Sequence, residues 1–194
     1  MQDIPCIIFA GGKSSRMGRD KALLPFGSFS TLCEFQHSRL SKIFSNVYIS
    51  CKDRNKFNFE ANFIEDSSSI DTFAPTIGFI SAFEQLPNKS FFAISVDSPF
   101  INEEIIKILL SFSKEGFDAV VARTSQGIQP LCGFYSDSLE KKFLQMQKED
   151  NHKLTYLLKL SNTHFVDFQD KHAFLNLNYP DEYQQALSSL KYDG

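Results

Sequence analysis

The sequence predicts an α/β fold: a single domain over residues 1–194, built on a mostly parallel sheet with helices on both faces. Three observations predict it. Short apolar runs of strand length alternate with stretches of helical period along the whole chain. One run, Ser90-Phe91-Phe92-Ala93-Ile94-Ser95-Val96, is apolar on both faces, as the middle strand of a parallel sheet must be. No internal repeat, low-complexity tract or linker divides the 194 residues. A chain of that length buries roughly 70% of its unfolded surface in one core.

The elements follow in order. Ile7-Ile8-Phe9-Ala10 is a first strand that empties into a loop carrying Gly11, Gly12 and Gly18. Leu23 to Gly27 reads as a short extended piece ending in a turn. Thr31 and Glu34 stand at capping-box spacing, and Leu32, Phe35, Leu40, Ile43 and Phe44 keep a helical face. Val47–Cys51 and Asn62–Asp66 are strands, the second ending on a carboxylate. Residues 67–76 read as a loop, and Ile77, Ile80 and Phe83 as a short helix ending near Pro87. After the 90–96 strand, Asp97-Ser98-Pro99 stops the chain. Asn102 then caps a helix with Glu103 and Glu104 in its first turn, and Gly116 ends it. A strand at Asp118–Arg123 turns at residues 125–127 into extended chain, Gln129–Tyr135. Helical patterns at 137–148 and 153–160 precede a strand at Phe165–Phe168. A last helix has Pro180 in its first turn.

Composition narrows the function classes. A net charge of −3 argues against a general nucleic-acid binder, which would carry a basic face over the whole domain. No apolar run approaches roughly 20 residues, so no membrane span is expected, and the N-terminus lacks a signal-peptide pattern. Cys6, Cys33, Cys51 and Cys132 are widely separated, without metal-ligand spacing, and read as reduced, mostly buried thiols. The expected location is the cytoplasm. His37, His152, His164 and His172 have no triad partners at useful spacing and read as surface or structural residues.

The chemistry concentrates at strand ends. Residues 13–21 carry Lys13, Arg16, Arg19 and Lys21 against Asp20 alone, in a chain that is negative overall. Glycines let backbone N–H groups approach an anion, and fixed cations neutralise what those dipoles cannot. A phosphate site is therefore favoured over a solvated basic turn. The P-loop is excluded because Ile7 stands where its first glycine belongs, and the dinucleotide fingerprint because Gly11 and Gly12 are adjacent. In parallel sheets ligands lie beyond the carboxyl ends of the strands, where Asp66 and Asp97 also fall. Asp97 alone reads equally as a turn-former before Pro99 or as a carboxylate for Mg²⁺; a phosphate loop on the same edge favours the metal. Cations and a metal together point to substitution at a nucleotide phosphorus. Arg16 and Lys21 are the candidate phosphate clamps, Arg through its planar fork and Lys as a compact charge.

The stretch Phe9-Ala10-Gly11-Gly12-x3-Arg16-Met17-Gly18-x-Asp20-Lys21 resembles the nucleotidyltransferase signature. With Ile64-Glu65-Asp66, Ser95-Val96-Asp97-Ser98-Pro99-Phe100, Gln129-Pro130-Leu131 and Phe174-Leu175-Asn176-Leu177-Asn178-x-Pro180-Asp181, nearly the whole chain is similar to the molybdenum cofactor guanylyltransferases. These are the molybdopterin-guanine dinucleotide biosynthesis protein A family. The resemblance implies a Rossmann-like fold of the nucleotide-diphospho-sugar transferase type. It implies transfer of GMP from GTP to molybdenum-molybdopterin, with Mg²⁺ as cofactor and pyrophosphate released. By the same resemblance Phe9, Ala10, Gly11, Gly12, Lys21, Asp66 and Asp97 would bind the nucleotide. Lys21, Arg16 and Asp97 would be catalytic and Asp97 would hold the metal, while Asn176 and Asn178 would face the pterin substrate. An accessory GTP-binding protein of the pathway and recipient molybdoenzymes are the implied partners. The competing readings are a relative using CTP or a sugar-phosphate acceptor, and a non-catalytic nucleotide-binding module.

Overall fold

The computed structural model describes residues 1–12, 18–66, 75–86 and 90–190. Among the described residues there are seven strands: β1 (Cys6–Phe9), β2 (Val47–Cys51), β3 (Asn62–Glu65), β4 (Phe91–Ser95), β5 (Ala119–Thr124), β6 (Gly127–Tyr135) and β7 (Thr163–Asp167). They form one sheet in the order β3-β2-β1-β4-β6-β5-β7. All run in one direction except β6, which is antiparallel to both β4 and β5. The exception has a local cause. Thr124 pairs with Gly127, so only Ser125 and Gln126 connect β5 to β6, and a two-residue connection can only make a hairpin. Gly127, at φ 116°, takes the left-handed backbone that the turn requires.

Six α-helices among the described residues cover the sheet: α1 (Leu32–Leu40), α2 (Pro75–Gln85), α3 (Glu103–Ser111), α4 (Glu140–Lys148), α5 (Leu154–Leu160) and α6 (Pro180–Ser189). Strand alternation assigns the two cores. Cys6, Ile8, Phe92 and Ile94 pack with α1, α3 and α6 on one face. Ile7, Phe9, Phe91 and Ala93 pack with α2, α4 and α5 on the other. The abundance of phenylalanine is spent largely here: Phe79 stacks on Phe143 and meets Tyr135 edge-on, each at 4.6 Å between centroids.

Predicted caps are in place: Thr31 Oγ1 accepts the Glu34 amide and Asn102 Oδ1 that of Ile105, each at 3.0 Å. Several boundaries differ from expectation. Pro75 opens α2, so residues 75 and 76 are helical, because proline's fixed φ suits a first helical position. Residues 67–74 lie outside the described residues. Lys21–Leu23 forms a 3-10 turn where Leu23 was expected to be extended. Asp137–Leu139 is likewise a 3-10 turn ahead of α4. α3 ends at Ser111, and Gly116, at φ 81°, lies beyond the turn that follows it.

The strand order places the site. From β1 the chain winds outward through β2 to β3, then returns to lay β4 on the opposite side of β1. The winding reverses between β1 and β4, leaving a crevice beyond their carboxyl ends. The glycine-rich stretch follows β1 there, and Asp97 follows β4.

Candidate active site

β4 is buried along most of its length, which fixes the turn that follows it. Val96 N–H donates to the Phe9 carbonyl at 3.1 Å, joining the two strand ends. Beyond them the sheet supplies no further donors. Gln36 of α1, fully buried, does: its Nε2 contacts the carbonyls of Ser95, Val96 and Ser98 at 3.2, 3.3 and 3.1 Å. Arg39 holds the Gln36 amide oxygen through Nε and Nη2 at 3.1 and 2.7 Å and also donates to the Ile101 carbonyl. Ser95 Oγ donates to Asp97 Oδ1 at 2.6 Å. The Asp97 carboxylate is thus oriented before any ligand arrives.

The other oxygen of Asp97 accepts from the ammonium of Lys21, which also donates to Asn178 Oδ1 at 2.9 Å. Lys21 begins the 3-10 turn whose N-cap is Asp20, with Asp20 Oδ1 accepting the Ala22 amide at 3.0 Å. Asn178 arrives from the far end of the chain. Leu177 N–H donates to the Asp97 carbonyl at 2.9 Å, and the Glu182 carboxylate accepts the amides of Asn178 and Tyr179 at 2.7 and 2.9 Å. Asn176 Oδ1 accepts from Ser98 Oγ at 2.6 Å. The segment before α6 is therefore bound to the turn after β4 by backbone and side chain together.

Asp66 follows β3, its amide donating to the Cys51 carbonyl at 3.0 Å. A Cβ on Gly11 would stand 4.0 Å from Asp66 Oδ2, so the two residues are neighbours. Asp66 Oδ1 is buried with no hydrogen-bond partner among the described residues. Burial pushes the carboxyl up to about 6, with Lys52 acting in the opposite direction. A buried acceptor without a donor is costly unless a ligand supplies one.

Two clefts open side by side. One, of about 190 Å³, is lined by Phe9, Ala10, Gly11, Gly12, Asp20 and Lys21 on one side and by Ser95, Val96 and Asp97 on the other. The second, of about 330 Å³, is lined by Ser98, Gln129, Pro130, Asn176 and Asn178 with apolar walls from Leu154 and Phe174. Pro75, Ser95, Asp97 and Leu131 border both. Two compartments meeting at one carboxylate suit a reaction that joins two substrates. A larger hollow of about 570 Å³, between His37, Arg54 and Phe63, lies against β3 and shares no lining residue with either cleft.

The MobA-like NTP transferase domain family matches residues 6–164. A Campylobacter jejuni subsp. doylei protein named molybdenum cofactor guanylyltransferase is 37% identical over 191 residues, covering 98% of this chain and 99% of that protein. The chain belongs to the molybdenum cofactor guanylyltransferase family. A Helicobacter pylori family member is 33% identical, covering 98% of this chain and 95% of its own length. The fold is shared with molybdopterin-guanine dinucleotide biosynthesis protein A of Archaeoglobus fulgidus. There the TM-score is 0.84 at 21% identity, with 97% of this chain and 100% of that one covered.

Within this member of the family, the fold brings Lys21, Asp97 and Asn178 into direct contact and sets Asn176 beside them on Ser98. Ala10, Gly11 and Gly12 line the same cleft, and Asp66 stands next to Gly11. Phe9 borders the cleft but is only 7% exposed and stacks on Phe79 at 4.7 Å, so most of its ring belongs to the core. Arg16 and Lys13 lie outside the described residues. The histidines have other occupations: His164 stacks on Phe117, His172 packs on Phe100, and His152 Nδ1 meets Thr76 Oγ1 at 2.5 Å. All four cysteines are buried, and burial pushes Cys33, Cys51 and Cys132 up to about 12, so none is a reactive thiolate. Sequence reasoning missed Gln36 and Ser95. Gln36 alone left a signal, as a polar residue on the apolar Leu32–Leu40 stripe of α1.

Proposed function

We propose that this protein transfers GMP from GTP to the terminal phosphate of molybdenum-molybdopterin, forming the guanine dinucleotide cofactor. The observation that carries the reading is the meeting of the glycine-lined and asparagine-lined clefts at Asp97. An oxygen of the acceptor phosphate bonds to the α-phosphorus of GTP, and the bond from that phosphorus to the oxygen bridging it to the β-phosphorus breaks. Pyrophosphate leaves with the electron pair. Attack of one anion on another is opposed by charge, so the protein's task is electrostatic and positional.

The amides of Gly11 and Gly12 and the Lys21 ammonium receive the nucleotide phosphates. Arg16, in the same cationic stretch, adds a second clamp. Asp66, whose Oδ1 has no partner among the described residues, accepts hydrogen bonds from the donor edge of guanosine. Asn176 and Asn178 orient the pterin phosphate through neutral amides, where further carboxylates would repel it. The donor set at the junction fits Mg²⁺: one carboxylate and amide carbonyl oxygens, with no group of three His, Cys, Asp or Glu among the described residues to enclose the ion. Asp97 would hold it, and the bound ion would neutralise charge on the phosphate oxygens. In this reading the enzyme works in the cytoplasm, with the accessory GTP-binding protein and recipient molybdoenzymes as partners.

The test is direct. The protein is incubated with molybdopterin, Mg²⁺ and each nucleoside triphosphate in turn, and pyrophosphate release is followed with the pterin product. Release with GTP and formation of the guanine dinucleotide are expected. A response to CTP alone removes the guanylyl reading, and a response only to sugar phosphates removes the pterin. Nucleotide binding without release would make the chain a binding module.

A further inference from the structure

Lys56 lies outside every motif of the chain, on a 3-10 turn (Arg54–Lys56) in the connection from β2 to β3. Its ammonium donates to Asp20 Oδ2 at 2.7 Å and to the Ala10 carbonyl at 3.3 Å. Ala10 is where the chain leaves β1, and Asp20 is where it returns, one residue before Lys21. A single ammonium therefore joins both flanks of the glycine-rich stretch. Asp20 has further ties: Oδ1 accepts the Ala22 amide at 3.0 Å, and its carbonyl accepts that of Leu23 at 3.1 Å. Lys56 also stands 4.9 Å from the centroid of the Phe57 ring, which limits where its charge can go.

An exposed Lys–Asp pair contributes little to stability or to anything else. This one differs in two respects. The side chains are only 22% and 30% exposed, and the lysine has a third partner in the backbone of β1's end. Asp20 moreover lines the glycine-rich cleft. Asp20 thus puts a like charge at the border of the place where a triphosphate would lie, and Lys56 is the cation bonded to it.

We propose that Lys56 is a positioning residue for the nucleotide: it neutralises Asp20 at the cleft and pins the turn that aims Lys21 at Asp97. The inference rests on the proposed function in so far as a triphosphate occupies that cleft. The pinning itself is a property of the nucleotide-free protein and can be measured without one.

The variant to make is Lys56→Met, which keeps the aliphatic stem and removes the charge. Three readouts are taken on the full chain: KM for GTP in the pyrophosphate assay, hydrogen exchange of the Ala22 amide without nucleotide, and the melting temperature. KM is expected to rise about tenfold, the order of one uncompensated charge beside a polyanion site. The Ala22 amide is expected to exchange several-fold faster, because the carboxylate that accepts it is no longer held. Adding Asp20→Asn to Lys56→Met should return KM most of the way toward wild type, since the unpaired charge is gone. A merely structural ion pair would lower the melting temperature and leave KM in place. KM within twofold of wild type, or an Ala22 amide that exchanges no faster, overturns the proposal. Should Lys56→Met not fold, the double variant is read instead, and unchanged Ala22 exchange there overturns it equally. If the wild-type protein releases no pyrophosphate with GTP, the functional reading fails, while the exchange measurement still decides whether Lys56 holds Asp20.

Discussion

The ammonium of Lys21 is bonded to the carboxylate of Asp97, 76 residues further along the chain, and to the side-chain oxygen of Asn178, 157 residues away. Three segments that share nothing in sequence thus converge on one charge, at the point where the two clefts join. Ser95 holds the opposite oxygen of Asp97, so the carboxylate is clamped from both sides. An arrangement of this kind is preorganised: the groups that would face the reacting phosphates are positioned before substrate arrives.

Asp97→Ala is expected to abolish transfer, lowering turnover by about 10³-fold or more, the scale on which electrostatic groups at a reacting centre act. GTP binding should weaken only modestly, because the glycine amides and Asp66 remain. Calorimetric titration with GTP beside the pyrophosphate assay separates the two effects. Full dinucleotide synthesis with Mg²⁺ by this variant would remove Asp97 from the mechanism. Lys21→Met should also reduce turnover by about 10²-fold or more while leaving the fold intact, checked by circular dichroism.

Asp66 makes two linked predictions about pH. Its carboxyl is raised to about 6 by burial, so the free protein binds this proton more tightly than the unfolded chain does. Ionised Asp66 therefore costs stability, fully above pH 6 and less as the pH falls from 6 toward 4. Asp66→Asn should melt higher than wild type at pH 7.5, with the difference shrinking across that acid window. GTP affinity should move the other way. Only the ionised carboxylate can accept from guanosine donors at both of its oxygens, so wild-type affinity should fall as pH drops through about 6. Asp66→Asn should bind weakly and show no such step. A flat affinity profile for wild type between pH 5 and pH 7, read by titration calorimetry, contradicts the assignment.

Gln36→Leu tests the support beneath Asp97. The substitution places an apolar side chain at the buried position and leaves carbonyls of the turn after β4 without the donor that Gln36 supplies. A loss of about 2–4 kcal/mol in a urea unfolding experiment is expected, more than an apolar replacement at an exposed helix position would cause. Turnover by the folded fraction should fall as well, because the same turn carries Asp97.

Gly78 of α2 packs against Phe9, which borders the glycine-lined cleft. A Cβ there would lie 2.7 Å from Ser50 Oγ and 3.0 Å from Phe9 Cε1. Gly78→Ala should therefore destabilise the protein by about 1–3 kcal/mol despite alanine's better helix propensity, since overpacking outweighs propensity in a filled core. Because Phe9 borders the cleft, KM for GTP should rise in the same variant. A more stable Gly78→Ala protein, measured by thermal melting, would show that α2 can shift away from β1 without cost.

Much of the architecture was legible locally. The apolar run Phe91–Val96 announces a central strand because both of its faces are apolar, and Thr31 and Asn102 announce helix starts because their side chains can accept the amides that a helix leaves unpaired. The cationic glycine stretch and the carboxylates at strand ends are chemistry written into consecutive residues. What neighbours in sequence cannot express is which strand ends become neighbours in space.

The chain by itself determined the element types, the two-faced core and the anion-seeking character of residues 11–21, all of which follow from side-chain period, capping chemistry and charge density. Tertiary structure alone decided three things. It set Asp97 and Asn178 on Lys21, because the winding reverses between β1 and β4 and the segment before α6 is tied back to the turn after β4. It left an oxygen of Asp66 buried without a described partner, a consequence of neighbours contributed by other elements. It also carried Lys56, unremarkable in its own segment, to the two flanks of the glycine-rich stretch. Contacts of this kind depend on how the sheet brings distant segments to one edge, and no window of consecutive residues contains that information.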